Sequence, residues 1–163
     1  NVEVPQSNLL GAEEGKGFYQ LMQQLPQERL IIGLGSVAAM TRAVELTIEY
    51  TKQRNVFGAP LADMQNTRFK LAECQTLCKV AAVFVDDCME KILAGGLDTT
   101  TAAMAKWWTS QTAFQVIDEC LQLHGGYGYM LEYPIARMFA NSRVGRIYGG
   151  SNEVMKELIA RSL

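Results

Sequence analysis

Apolar residues recur at Leu30, Leu34, Val37, Thr41, Val44 and Ile48, a spacing of four and three that puts them on one face of a helix. Two further runs repeat the pattern. Leu71, Cys74, Cys78, Ala81, Val85, Cys88 and Ile92 form one stripe, and Ala103, Trp107, Ser110, Phe114, Ile117 and Leu121 form another. Long helices joined by short connections pack as antiparallel neighbours. The expected fold class is therefore all-α, an antiparallel four-helix bundle with a short extended segment at its N-terminus.

Turn and cap residues set the expected boundaries. Pro26 suits the first turn of a helix, so the long helix is expected to open at Pro26-Gln27-Glu28-Arg29, after a separate short helix from Phe18 to Gln24. It should run to Gln53-Arg54 and stop at Phe57-Gly58-Ala59-Pro60. A second helix is expected from Thr67 to Ala94, closed by Gly95-Gly96, and a third from a cap at Asp98 or Thr99 to His124-Gly125-Gly126. A fourth starts at Pro134 and ends near Ser142, and Ser151 caps a fifth that reaches the C-terminus. Ahead of them, Asn1-Val2-Glu3-Val4-Pro5 alternates like a strand that has no partner in the sequence. Residues 1–17 are expected to be the end of a preceding β domain and a linker, and 18–163 the bundle domain. Trp107 and Trp108 diverge by about 100° on a helix, so one of them is expected to meet another subunit or domain.

A chain of 163 residues suits one domain. Its net charge of -2, with Lys and Arg scattered, lacks the basic footprint of nucleic-acid binding. No uninterrupted apolar run approaches the roughly 20 residues of a membrane span, so none is expected. Cys74, Cys78 and Cys88 fall on an apolar stripe and read as core thiols, which suits a cytosol or an organelle matrix. His124 is the single histidine, and with no Cys-x-x-Cys pair the chain falls short of a zinc ligand set.

Three stretches carry more glycine and polar detail than a bundle needs. They are Gln122-Leu123-His124-Gly125-Gly126-Tyr127-Gly128-Tyr129, Arg146-Ile147-Tyr148-Gly149-Gly150-Ser151-Asn152-Glu153, and Pro26-Gln27-Glu28-Arg29. Each is expected at a helix terminus, where free N–H groups and a partial positive charge suit a pyrophosphate or a developing oxyanion. Each also has a plainer role: Gly-Gly as a C-cap, Ser151 as an N-cap, Glu28 as an acid complementing a helix start.

Taken in order, these stretches with Asn8-Leu9-Leu10-Gly11, Gln53-Arg54, Phe57-Gly58, Gln65 and Tyr133-Pro134 resemble the C-terminal part of the acyl-CoA dehydrogenase family. The resemblance covers the whole chain. It implies an enzyme in which a glutamate removes the α-proton of an acyl-CoA thioester while the β-hydride passes to FAD, giving a trans-2-enoyl-CoA. Electron-transferring flavoprotein is the implied acceptor, and the domain alone is expected to be inactive. Many members carry the base in a Tyr-Glu-Gly-Thr motif, which here reads Tyr148-Gly149-Gly150-Ser151. Long-chain and isovaleryl-type members place it instead on the long helix, where this sequence has Glu28.

The resemblance therefore implies Glu28 as base, with the Gly149 N–H as one donor to the thioester carbonyl and a flavin ribityl hydroxyl as the other. Tyr19, Pro26, Gln27 and Arg29 match residues lining the CoA and acyl site, and Gly150 the position beside the thioester. Arg54, Phe57 and Gln65, with Gln122, Leu123, His124, Gly125 and Gly126, match the region that holds the FAD of a neighbouring subunit. Ser151, Asn152 and Glu153 match the flavin contact beside the base. Each site then needs two chains, which implies a homodimer or homotetramer. Long-chain acyl-CoA is the implied substrate; isovaleryl-type specificity and a non-catalytic helical interaction module are the alternatives.

Overall fold

One helix of 37 residues, α1 (Gly17–Gln53), runs straight through the boundary expected at Pro26. The structure, a computed structural model, describes residues 1–11 and 13–163. Pro26 lacks the N–H that would donate to the Met22 carbonyl, a loss that costs an isolated helix about 3 kcal/mol. Helical residues on both sides nevertheless carry the element through. Glu28 and Arg29 thus lie about three turns inside a helix, and no helix-start field acts on them.

After α1, a two-residue hairpin pairs β1 (Asn55–Val56) with β2 (Ala59–Pro60), antiparallel, with Asn55 opposite Pro60 and Val56 opposite Ala59. Its tip is Phe57-Gly58, both at positive φ (51° and 83°), as a tight turn of this hand requires. Next come α2 (Gln65–Leu93), α3 (Thr99–His124), α4 (Pro134–Val144) and α5 (Asn152–Ala160). The expected caps hold: the Asp98 carboxylate accepts from the Thr101 backbone at 2.8 Å and its hydroxyl at 2.6 Å, and Ser151 Oγ accepts from Val154 N. Val2 to Val4 do not form the expected strand. Both valines are exposed, and an isolated strand has no ladder to satisfy its backbone.

α3 is the central element, touching α1, α2, α4 and α5. Its sequence explains this placement. Ala102, Ala103, Ala105, Thr109, Ser110 and Ala113 are small and buried, so neighbouring helices approach it closely from several sides. Gly33 of α1 marks one such approach, where a side chain would touch Thr109 Oγ1 at 3.4 Å. Cys74, Cys78, Cys88 and Cys120 are free and buried: Cys74, Cys78 and Cys120 pack with Met40, Val44, Val116 and Ile117, and Cys88 packs with Leu30, Val85 and Ala105.

Both tryptophans, half-buried, find partners within the chain. Trp108 meets Phe84 of α2 edge to face, and Trp107 lies under the Lys156 ammonium of α5 at 5.3 Å. An 18-residue window of α1 has a mean hydropathy of 1.4, apolar enough by length and composition alone to cross a membrane. Counting unbroken apolar runs overlooks it, because Arg42 and Glu45, paired at 2.9 Å, interrupt the stretch. In the bundle this helix packs on α3 and α2.

Candidate functional site

Two residues adjacent on α1 face opposite ways. Glu28 is exposed, whereas Arg29 is 4% exposed, and its Nε and Nη1 have no hydrogen-bond partner among the described residues. Burial pushes the guanidinium below its ordinary range, with Glu28 working the other way.

The second half of the site arrives from the far end of the chain. Beyond α4 the N–H groups of Ile147 and Tyr148 both donate to the Val144 carbonyl, at 2.8 and 3.1 Å, curling the chain into a tight turn. Gly149 and Gly150 follow at φ 65° and 93°. A Cβ on Gly149 would overlap Ile32 Cδ1, and one on Gly150 would lie 2.6 Å from Met155 Cε. The turn therefore rests on α1 at Ile32, one helical turn, about 6 Å, from Glu28. The N–H groups of Gly149 and Gly150 make no hydrogen bond among the described residues. They remain available as donors.

Beneath the turn lies Lys106 of α3, fully buried. Its Nζ donates to the Gly150 carbonyl at 2.7 Å and to Asn152 Oδ1 at 3.0 Å, and Ser110 Oγ donates to the same Oδ1 at 3.1 Å. Burial lowers the ammonium to about 8; Glu153 opposes that shift and Arg29 adds to it. Sequence reading missed Lys106. The signal was there, since it shares a helical face with Ala102, Ala103 and Ser110, where a charge is out of place. Asn152 was expected to touch a cofactor, but its side chain turns inward. Ser151 caps α5, and hydrogen bonds from its own backbone N–H and the Ser151 hydroxyl hold the Glu153 carboxyl below the usual range.

A second constellation forms at the other end of α1. A cavity of about 670 Å³ is lined by Arg54, Gln122, Leu123, His124, Gly125 and Gly126, all expected as a group, together with Tyr50, Thr67 and Tyr127, which were not. Tyr50 stacks on the His124 ring at 4.2 Å and donates its hydroxyl proton to the His124 carbonyl at 3.1 Å. The His124 Nδ1–H donates to the Cys120 carbonyl at 2.8 Å, and burial lowers its pKa, so the imidazole is neutral. Arg54 lies 5.6 Å over the Tyr127 ring.

Two expected members stand apart from that cavity: Phe57, 99% exposed at the hairpin tip, and Gln65, exposed at the first position of α2. Tyr19 is also exposed, about 14 Å along α1 from Glu28. Pro26 is half-buried and Gln27 exposed. From Ile32 to Arg54 the helix rises about 33 Å. The Gly149 turn and the Arg54 cavity are thus two separate sites within one chain.

The model of the acyl-CoA dehydrogenase C-terminal domain matches residues 15–163. The chain belongs to the acyl-CoA dehydrogenase family. Among relatives of this acyl-CoA dehydrogenase domain, the mitochondrial long-chain specific acyl-CoA dehydrogenase of Sus scrofa is 50% identical over 163 residues, covering 100% of the chain and 38% of that protein. The crystal structure of an acyl-CoA dehydrogenase from Geobacillus kaustophilus superposes with a TM-score of 0.94 at 47% identity, covering 98% of the chain and 42% of its own. A glutaryl-CoA dehydrogenase from Mycobacterium smegmatis, solved in complex with FADH2, matches 85% of the chain and 36% of its own at 28% identity and a TM-score of 0.82. The chain thus spans well under half the length of the proteins it matches.

Proposed function

We propose that this is the C-terminal domain of a flavin-dependent dehydrogenase that converts long-chain acyl-CoA thioesters to trans-2-enoyl-CoA in fatty-acid β-oxidation, with Glu28 as the base. The observation that carries this reading is Gly149 resting on Ile32, one turn from Glu28. With no carboxylate at position 149, α1 supplies it. Glu28 accepts the α-proton, and its exposure leaves room for substrate to close over it and exclude water. The free N–H of Gly149 donates to the thioester carbonyl, where negative charge builds as the α-carbon loses its proton. Arg29, Gln27, Pro26 and Tyr19 lie along the same helix as the wall for the acyl-CoA.

Members of this family generally use FAD, and the residues at both ends of α1 fit it. Bound FAD supplies the acceptor for the β-hydride. The Arg54 guanidinium at the cavity suits a pyrophosphate, and the Cβ directions of Gly125 and Gly126 meet nothing within 4 Å, which lets a ligand approach the backbone there. Ser151 and Glu153 stand beside the Gly149 turn. Since one chain keeps these groups about 33 Å apart along α1, a complete site draws on two copies, which supports a homodimer or homotetramer. Electron-transferring flavoprotein is the proposed acceptor. The proposed compartment is the mitochondrial matrix, the Sus scrofa relative being named as mitochondrial, or the cytoplasm of a bacterium.

The test is anaerobic stopped-flow flavin bleaching by the full-length enzyme, with palmitoyl-CoA against isovaleryl-CoA. Faster bleaching by the long chain is expected, and preference for isovaleryl-CoA would reassign the substrate. No bleaching by any acyl-CoA would sink the enzymatic reading in favour of an interaction module.

A further inference from the structure

We propose that Lys106 is a positioning residue for this reaction, a buried cation that fixes the turn from which the Gly149 N–H addresses the thioester carbonyl. The inference rests on the function proposed above. Its first support is geometric. Lys106 Nζ holds the turn at two points, the Gly150 carbonyl at 2.7 Å and Asn152 Oδ1 at 3.0 Å. The Asn152 N–H closes the loop on the Arg146 carbonyl at 3.1 Å. The Gly150 carbonyl shares its rigid trans peptide with the Ser151 N–H, so the Lys106 anchor fixes the plane that ends the Gly149-Gly150 turn and limits how the two glycines before it can turn. Two consecutive glycines have many backbone states open to them. The Lys106 anchor, with Ile32 and Met155 as walls, selects this one.

The second support is energetic. Lys106 is fully buried, and both of its hydrogen bonds go to neutral oxygens, with the buried Arg29 adding like charge. An apolar side chain of similar volume would commonly serve stability as well or better in such a place. The residue is explained by what it holds. It touches no reacting atom, so its effect should fall on the chemical step and spare substrate binding.

The experiment uses the full-length holoenzyme and two variants, Lys106→Met and Lys106→Gln. Three quantities are read: the flavin-bleaching rate at saturating palmitoyl-CoA, the Kd for acyl-CoA, and the infrared carbonyl stretch of a bound isotope-labelled thioester. That stretch reports how strongly the donors polarise the bond. Lys106→Met is expected to keep flavin and a Kd within about threefold, to slow bleaching by about 10- to 100-fold, a part of what an oxyanion donor provides, and to move the stretch toward that of free thioester. Lys106→Gln, which keeps an amide donor, should fall between. If Lys106→Met does not fold, Lys106→Gln decides by the same readouts. A bleaching rate within about twofold of wild type with an unmoved stretch overturns the inference. Loss of folding in both variants overturns it too, because Lys106 would then be purely structural. If Glu28→Gln is slow while the Lys106 variants are not, this inference alone fails; if the wild type bleaches with no acyl-CoA, the proposed function falls with it.

Discussion

Ile32 Cδ1 lies where a side chain on Gly149 would begin, so the turn after α4 touches the middle of α1 and a larger residue at 149 must displace the tip of the Ile32 side chain. Glu28→Gln keeps shape and hydrogen bonding but removes the base, and should slow flavin bleaching by about 10² to 10⁴. The family's alternative placement suggests that Gly149→Glu would restore part of the rate. The Ile32 contact refines that expectation: rescue should improve when Ile32→Ala clears the tip of that side chain. Bleaching rates of the single, double and triple variants check this, and full rescue without the Ile32 change would show that the two residues do not compete.

Arg54→Lys keeps the charge and loses the planar fork. The variant should purify with substoichiometric flavin and regain its rate when FAD is added. The ratio of flavin to protein absorbance is the measurement, and an unchanged ratio would remove Arg54 from the cofactor site.

Lys106 makes stability depend on pH in a stated direction. Burial depresses its folded pKa from 10.5 to about 8, so between those values the unfolded chain binds more protons and stability rises with pH. Below about 8 both states are charged and the full burial penalty applies. Glu153 and Arg29 are the charges that act on it, in opposite senses. From pH 7 to 10.5 the wild type should gain about 3 kcal/mol relative to Lys106→Met. Urea midpoints of both proteins across that range give the answer, and parallel curves would contradict it.

Pro26→Ala restores an N–H opposite the Met22 carbonyl and should stabilise α1 by up to about 3 kcal/mol. The same repair would shift Gln27 and Glu28, whose direction depends on the helix just after the proline. A higher unfolding midpoint with slower bleaching is expected. A stabler enzyme with unchanged rate would mean that Pro26 does not set the Glu28 geometry.

The sequence by itself determined α2 to α5 and the C-terminal end of α1, because an apolar period of 3.6 and the caps at Asp98 and Ser151 are local facts. Its motifs also grouped Arg54 with Gln122 to Gly126, and the fold brings these together in one cavity. It misjudged Pro26, since a proline's local preference for a first turn was outweighed by helical residues on both sides. Only the tertiary structure decided that Glu28 faces out while Arg29 faces in, that Gly149 rests on Ile32, and that Lys106 stands under the turn. Those contacts join residues far apart in the chain, on different helices. No local pattern carries their distance, because it is set by helix packing and by the small residues that let α1 and α3 come close.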